Sequence, residues 1–114
     1  MKTIILKTIS ILSLFSLFAF AGETIKQETF KVYGNCGMCE SRIKKALKIS
    51  EVKFARWDKE TKILTVAYNV KAITSDSLQK IVASVGHDTE KYKATDEAYN
   101  NLPGCCLYRA GKSH

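Results

Sequence analysis

Gly34-Asn35-Cys36-Gly37-Met38-Cys39-Glu40 decides how the chain is read. It follows a short alternating stretch in which Phe30 and Val32 interleave with Lys31 and Tyr33, the pattern of a half-buried strand that Gly34 breaks. It opens an amphipathic stretch from Gly37 to about Ile49, with Cys39, Ile43, Ala46 and Leu47 on one helical face and Arg42, Lys44, Lys45 and Lys48 opposite. Two thiols three residues apart at a loop-to-helix junction can point at one spot, and the positive end of the helix dipole stabilises thiolate there. Thiolates are both nucleophiles and metal ligands. The motif therefore leaves open soft-metal binding, dithiol redox chemistry and a structural disulfide.

Working outward, Val52–Trp57 and Ile63–Tyr68 are rich in strand formers, with Asp58-Lys59-Glu60-Thr61 as the hairpin turn between them. The second of these places Leu64, Val66 and Tyr68 on one face. A second helix is expected with its cap at Thr74 or Ser75, its stripe at Leu78, Ile81, Val82 and Val85, and its end at Gly86. His87–Tyr92 has the length of a final short strand. The order strand, helix, strand, strand, helix, strand predicts a ferredoxin-like α+β fold, a βαββαβ two-layer sandwich whose four-stranded antiparallel sheet carries both helices on one face.

The 114 residues hold one domain at most, and the start does not belong to it. Met1-Lys2 and Lys7 precede an apolar run from Ile9 to Phe20, and Ala19-Phe20-Ala21 is an A-x-A cleavage pattern before Gly22. Residues 1–21 are expected to be a cleaved signal peptide for the periplasm or secretion. The alternative, a retained membrane anchor, needs an apolar run of about 20 residues. Without Lys2 and Lys7 the 18 basic residues become 16 against 11 acidic ones, a moderately basic balance. The lysines are scattered among acids, which describes a solvated face and not a nucleic-acid surface.

Residues 22–27 are a polar lead-in, 28–92 the domain, and 93–114 a cysteine-containing tail. A small exported chain with four cysteines invites a disulfide scaffold. The spacing argues against one, because the pairs 36/39 and 105/106 close almost no loop. Lys93–Asn101 is polar, a linker or short helix, and long enough to bring Cys105 and Cys106 back over the domain. Pro103-Gly104 supplies a turn that presents them. These two are candidate ligands, or a vicinal or intermolecular disulfide. Met38 is expected to be exposed loop or packing and not a ligand; Tyr33, Trp57 and Tyr68 are sheet or core aromatics.

With Cys-x-x-Cys at the end of a first strand, Asp58-Lys59-Glu60-Thr61, and Val85-Gly86-His87 where they stand, the sequence resembles the heavy-metal-associated domain family across about Glu28 to Tyr92. That family includes copper chaperones, the N-terminal domains of copper-exporting ATPases and periplasmic mercury-binding proteins. The resemblance implies that Cys36 and Cys39 carry the metal, and that His87, near the start of the last strand, overhangs the site as a ligand or proton-dependent gate. Two positions depart from the family pattern. Gly34 stands where Met is common two residues before the first cysteine, and Asn35 where zinc-selective members carry an acid.

These readings converge on a metal-binding protein that is not an enzyme. Soft thiolates favour Cu(I), with Hg(II) or Zn(II) as other ions, and a two-sulfur site leaves the ion open to an incoming thiolate. The expected partners are the metal ion and a membrane metal transporter or efflux component, with a metal-bridged homodimer as a further form. The alternatives are a periplasmic Hg(II)-binding protein and a thiol-disulfide oxidoreductase. The last is disfavoured because such sites use a proline-bearing loop beside the dithiol, and the only proline is Pro103.

Overall fold

The computed structural model describes residues 24–110; the expected signal segment 1–21 lies outside the described residues. The first strand, β1 (Ile25–Lys31), already begins within the stretch expected as a polar lead-in. Its polar residues are accommodated because it pairs antiparallel with β3 (Ile63–Asn69) over seven rungs, from Ile25↔Asn69 to Lys31↔Ile63, while its outer face meets solvent. The other edge of β3 pairs antiparallel with β2 (Val52–Trp57), with a register shift between Val52 and Phe54. The sheet order is β1-β3-β2. Asp58 shapes the β2–β3 turn as expected, its Oδ1 accepting from the Glu60 and Thr61 N–H groups.

Helix α1 (Gly37–Ala46) stops earlier than the periodicity suggests, because the Lys48 N–H turns to the Lys45 carbonyl in a tighter closing turn. Helix α2 (Ser75–Ser84) is capped by Thr74, whose Oγ1 accepts from the Ser77 N–H at 3.1 Å. Ile43 and Leu47 of the first helical segment, Leu78 and Val82 of α2, and Phe30, Leu64, Val66 and Tyr68 of the sheet belong to one buried cluster. That is the ferredoxin-like two-layer arrangement.

The expected four-stranded sheet is corrected on one point: among the described residues it has three strands. His87–Tyr92 contributes a single antiparallel bridge, Val32↔Thr89, beside β1. Hydrogen bonds from the Tyr33 N–H to the Asp88 carbonyl and from the Glu90 N–H to the Lys31 carbonyl flank that bridge. Extension fails because the Thr89 N–H turns to the Tyr92 carbonyl at 2.7 Å, and the Thr89 hydroxyl is drawn to the Gln79 side chain at 2.8 Å. The chain reverses where a strand would continue.

The tail is part of the globule. Helix α3 (Asp96–Asn100), capped by Thr95, is followed by 3₁₀ turns at Gly104–Cys106 and Tyr108–Ala110. Tyr99, Leu102 and Cys106 join the same core cluster. Their seat is Gly86, where φ is +108° and a Cβ would stand 2.8 Å from Leu102 Cδ2 and 2.9 Å from the Ala98 carbonyl oxygen. Only glycine fits that close approach. The tail is clamped at Asp88, whose carboxylate receives Arg109 Nη2 at 2.6 Å, Arg109 Nε at 3.0 Å and the Ala94 N–H at 2.7 Å. The Tyr108 hydroxyl accepts from the Asp88 N–H and donates to the Gly86 carbonyl, both at 2.7 Å.

Candidate metal centre

Cys36 is the cap residue of α1, with extended backbone (φ −144°, ψ 179°) and a carbonyl that accepts from the N–H groups of Cys39 and Glu40. This conformation turns its thiol toward that of Cys39 one helical turn on, leaving the sulfurs 3.6 Å apart. Cys39 is wholly buried on the core side of α1, and its sulfur accepts from the Asn35 N–H at 3.4 Å. The motif is therefore half in the core, with Cys36 partly exposed and Cys39 sealed below it.

Beneath the loop lies Trp57. Its indole N–H donates to the Val32 carbonyl at 2.9 Å, which pins the ring under the end of the first strand segment. A Cβ at position 34 would come within 3.1 Å of that ring and 3.0 Å of the Cys39 Cβ. Gly34 is thus required by Trp57, which fills the space under the metal loop. Sequence reasoning placed Trp57 only as a sheet or core aromatic.

The tail brings the second cysteine pair onto the first. Cys106 Sγ is 2.7 Å from Cys39 Sγ and 3.7 Å from Cys36 Sγ, while Cys105 Sγ is 3.1 Å from Cys36 Sγ and 3.9 Å from Cys106 Sγ. All four thiols are free. Thiolates about 2.3 Å from a tetrahedral ion lie about 3.8 Å apart, so three of the five separations stand near ligand spacing. The two shorter ones still exceed a disulfide bond of about 2.05 Å. Cys36, Cys39 and Cys106 form a group whose sulfurs lie within 4.8 Å of one another. Met38, 56% exposed, places its thioether 3.5 Å from Cys105 Sγ, a contact the sequence spacing did not reveal.

The electrostatics divide the thiols. Burial alone pushes the Cys36 thiol up, but hydrogen bonds from the Cys105 thiol, the Cys39 N–H, the Cys39 thiol and the Met38 N–H outweigh it and bring the pKa down to about 7. Cys106 is pushed far up, first by burial and then by its neighbours Cys39 and Cys36. Cys105 is raised by its hydrogen bond to Cys36 and by burial. A Cys36 thiol that ionises near neutral pH, beside the Cys105 and Cys106 thiols whose ionisation is held back, suits capture of a soft cation, which displaces their protons.

His87 is not brought into the sulfur group. It is wholly buried, with Nδ1 2.8 Å from the Tyr33 carbonyl oxygen, and the Tyr108 ring stacks on it at 5.6 Å. That hydrogen bond assigns the proton to Nδ1, leaving Nε2 buried without a partner. His87 thus stands under Tyr33, immediately before the metal loop, and against the tail.

No protein-family model matches the chain, and no curated protein matches it. Solved structures do. The CopZ metallochaperone is 27% identical, with a TM-score of 0.54 over 56% of this chain and 98% of its own. The N-terminal domain of a potential copper-translocating P-type ATPase from Bacillus subtilis, in its Cu(I)-loaded state, is 30% identical, with a TM-score of 0.54 over 57% of this chain and 84% of its own. Oxidized MerP from Ralstonia metallidurans CH34 is 25% identical, with a TM-score of 0.54 over 58% of this chain and 94% of its own. Among the described residues no helix is long and apolar enough to cross a membrane.

Proposed function

Since the chain belongs to the heavy-metal-associated domain family, we propose that it is an exported carrier that captures Cu(I) through Cys36 and Cys39 and passes it on by thiolate exchange. The observation that carries this is the pairing of the two sulfurs, 3.6 Å apart at the start of α1, where the Cys36 thiol is lowered to about 7. The Cu(I)-loaded state of the 30% identical ATPase domain favours copper, as does a cluster made of sulfur alone. Transfer is ligand exchange and forms no new covalent product, so the chain is a carrier and not an enzyme. Its recipient or donor is a membrane metal transporter, and its compartment the periplasm. The tail's sulfurs supply what a second copy would otherwise bring, which favours a monomeric carrier over a metal-bridged dimer.

A second reading, delivery of Hg(II), is favoured by the likeness to MerP. Both use the same two thiolates. The test is a Cu(I) competition titration with a chromophoric chelator on the wild type, Cys36→Ser, Cys39→Ser and the double variant. Tight binding should be lost in each, and wild-type affinity in the double variant would reject the site. Metal analysis of the protein taken from its native compartment separates copper from mercury.

A further inference from the structure

We propose that the C-terminal segment completes the metal site: Cys106 is a third thiolate ligand beside Cys36 and Cys39, and Cys105 with the Met38 thioether is an outer sulfur pair through which Cu(I) arrives and departs. This rests on the copper-carrier reading above. Buried cysteines are common as small core residues, so burial of Cys106 alone would carry nothing. Its sulfur, however, is directed at two other thiols and not at apolar side chains alone, at 2.7 Å from Cys39 and 3.7 Å from Cys36. The segment that delivers it is held before Cys106 by Leu102 packed on Gly86 and after it by the Asp88–Arg109 pair and the Tyr108–Gly86 hydrogen bond, so the sulfur is positioned by structure on both sides of it.

The outer pair follows from exposure. Cys39 and Cys106 are sealed from solvent, whereas Met38 is 56% exposed and Cys105 is partly so. Exposure of a lone apolar side chain is ordinary, but Met38 meets the cluster through its sulfur, 3.5 Å from Cys105 Sγ. A thioether is a soft, neutral ligand that suits Cu(I) and binds hard cations poorly. From Met38 Sδ the steps are 3.5 Å to Cys105 Sγ and 3.1 Å onward to Cys36 Sγ. In the inward steps Cu–S bonds to Cys36, Cys39 and Cys106 form as those to Met38 and then Cys105 break; the protons of Cys39 and Cys106 leave to solvent and Cys105 takes one back. Any proton remaining on Cys36 leaves to solvent, and copper and sulfur keep their oxidation states.

The experiment uses the full chain loaded with one Cu(I), read by X-ray absorption for sulfur coordination and by chelator competition for affinity and transfer rate. Three sulfurs are expected in the wild type and two in Cys106→Ala, with affinity lowered at least about tenfold, as even outer partners of metal ligands cost that much. Met38→Leu should slow transfer to the chelator about tenfold. Circular dichroism checks that Cys106→Ala folds. Arg109→Gln, which keeps every sulfur but loosens the clamp, should speed release at an unchanged sulfur count. Two sulfurs in the wild type, wild-type affinity in folded Cys106→Ala, or unchanged release in Arg109→Gln would overturn the third ligand; an unchanged rate in Met38→Leu would overturn the outer pair. Loss of copper by the Cys36/Cys39 double variant alongside these results would leave the carrier reading standing, whereas its retention would sink both.

Discussion

Cys39 Sγ lies 2.7 Å from Cys106 Sγ, closer than the 3.6 Å to Cys36 Sγ, its partner in sequence. The Cys-x-x-Cys motif is thus not the tightest sulfur pair. Each of its cysteines has a nearer neighbour in the tail.

Mild oxidation of the metal-free protein with diamide should therefore link Cys39 to Cys106 and Cys36 to Cys105, the reagent taking the two electrons and two protons of each bond. Peptide mass mapping reads the pattern. A dominant Cys36–Cys39 link would show that the tail leaves the loop in solution.

Alkylation by iodoacetamide should begin at Cys36, with a rate that rises through a midpoint near pH 7, because its thiol is lowered to about 7. Cys105→Ala removes the hydrogen bond that contributes most to that lowering, so the midpoint should move upward. A profile insensitive to Cys105 would contradict the contact.

Gly34→Ala should destabilise the fold by about 1–3 kcal/mol, because the added methyl meets the Trp57 ring at 3.1 Å and the Cys39 Cβ at 3.0 Å. Urea unfolding measures it. An unchanged midpoint would mean that the loop rests higher on Trp57 than the geometry indicates.

His87 gives the protein an acid-side weakness. Burial pushes its pKa below the ordinary value of 6.5; the Tyr33 carbonyl and Asp88 oppose this, and the Arg42 charge adds to it. Tyr108, the other titratable group against the ring, is raised by its own burial and stays neutral here. The unfolded chain then binds a proton that the folded chain refuses, so stability is complete above about pH 6.5 and is lost as pH falls below it through the lowered folded value. His87→Phe should flatten this dependence in urea unfolding between about pH 7.5 and 5.5, and should leave Cu(I) affinity unchanged. A parallel slope in the variant would place the acid sensitivity elsewhere.

The elements with strong local signals were legible in the sequence. The spacing of Leu78 and Val82, the Thr74 cap, the Asp58 turn and the break at Gly34 are all short-range, and the two helices and the β2–β3 hairpin follow from them. The final strand was overestimated because Thr89 has strand propensity but spends its N–H on Tyr92 and its hydroxyl on Gln79. β1 begins early for the converse reason: its polar residues carry no core pattern, and only the β3 edge makes a strand of them. In the site, Cys36 and Cys39 were plain from spacing. That Trp57 supports the loop and Met38 faces Cys105 depends on contacts 20 to 70 positions apart, which no periodicity encodes.

Residues 39 and 106 stand 67 positions apart, and whatever joins their sulfurs turns most of the folded chain into a ring. In the chain-entropy account, closing a loop of that length removes about 4 kcal/mol of freedom from the unfolded ensemble, while a bridge confined to positions 36 and 39 removes far less. The cargo would then act as a fastener for its carrier. A loaded molecule would resist proteases that need an opened chain, and an emptied one would not, so surrender of the ion would also shorten the lifetime of the molecule that delivered it.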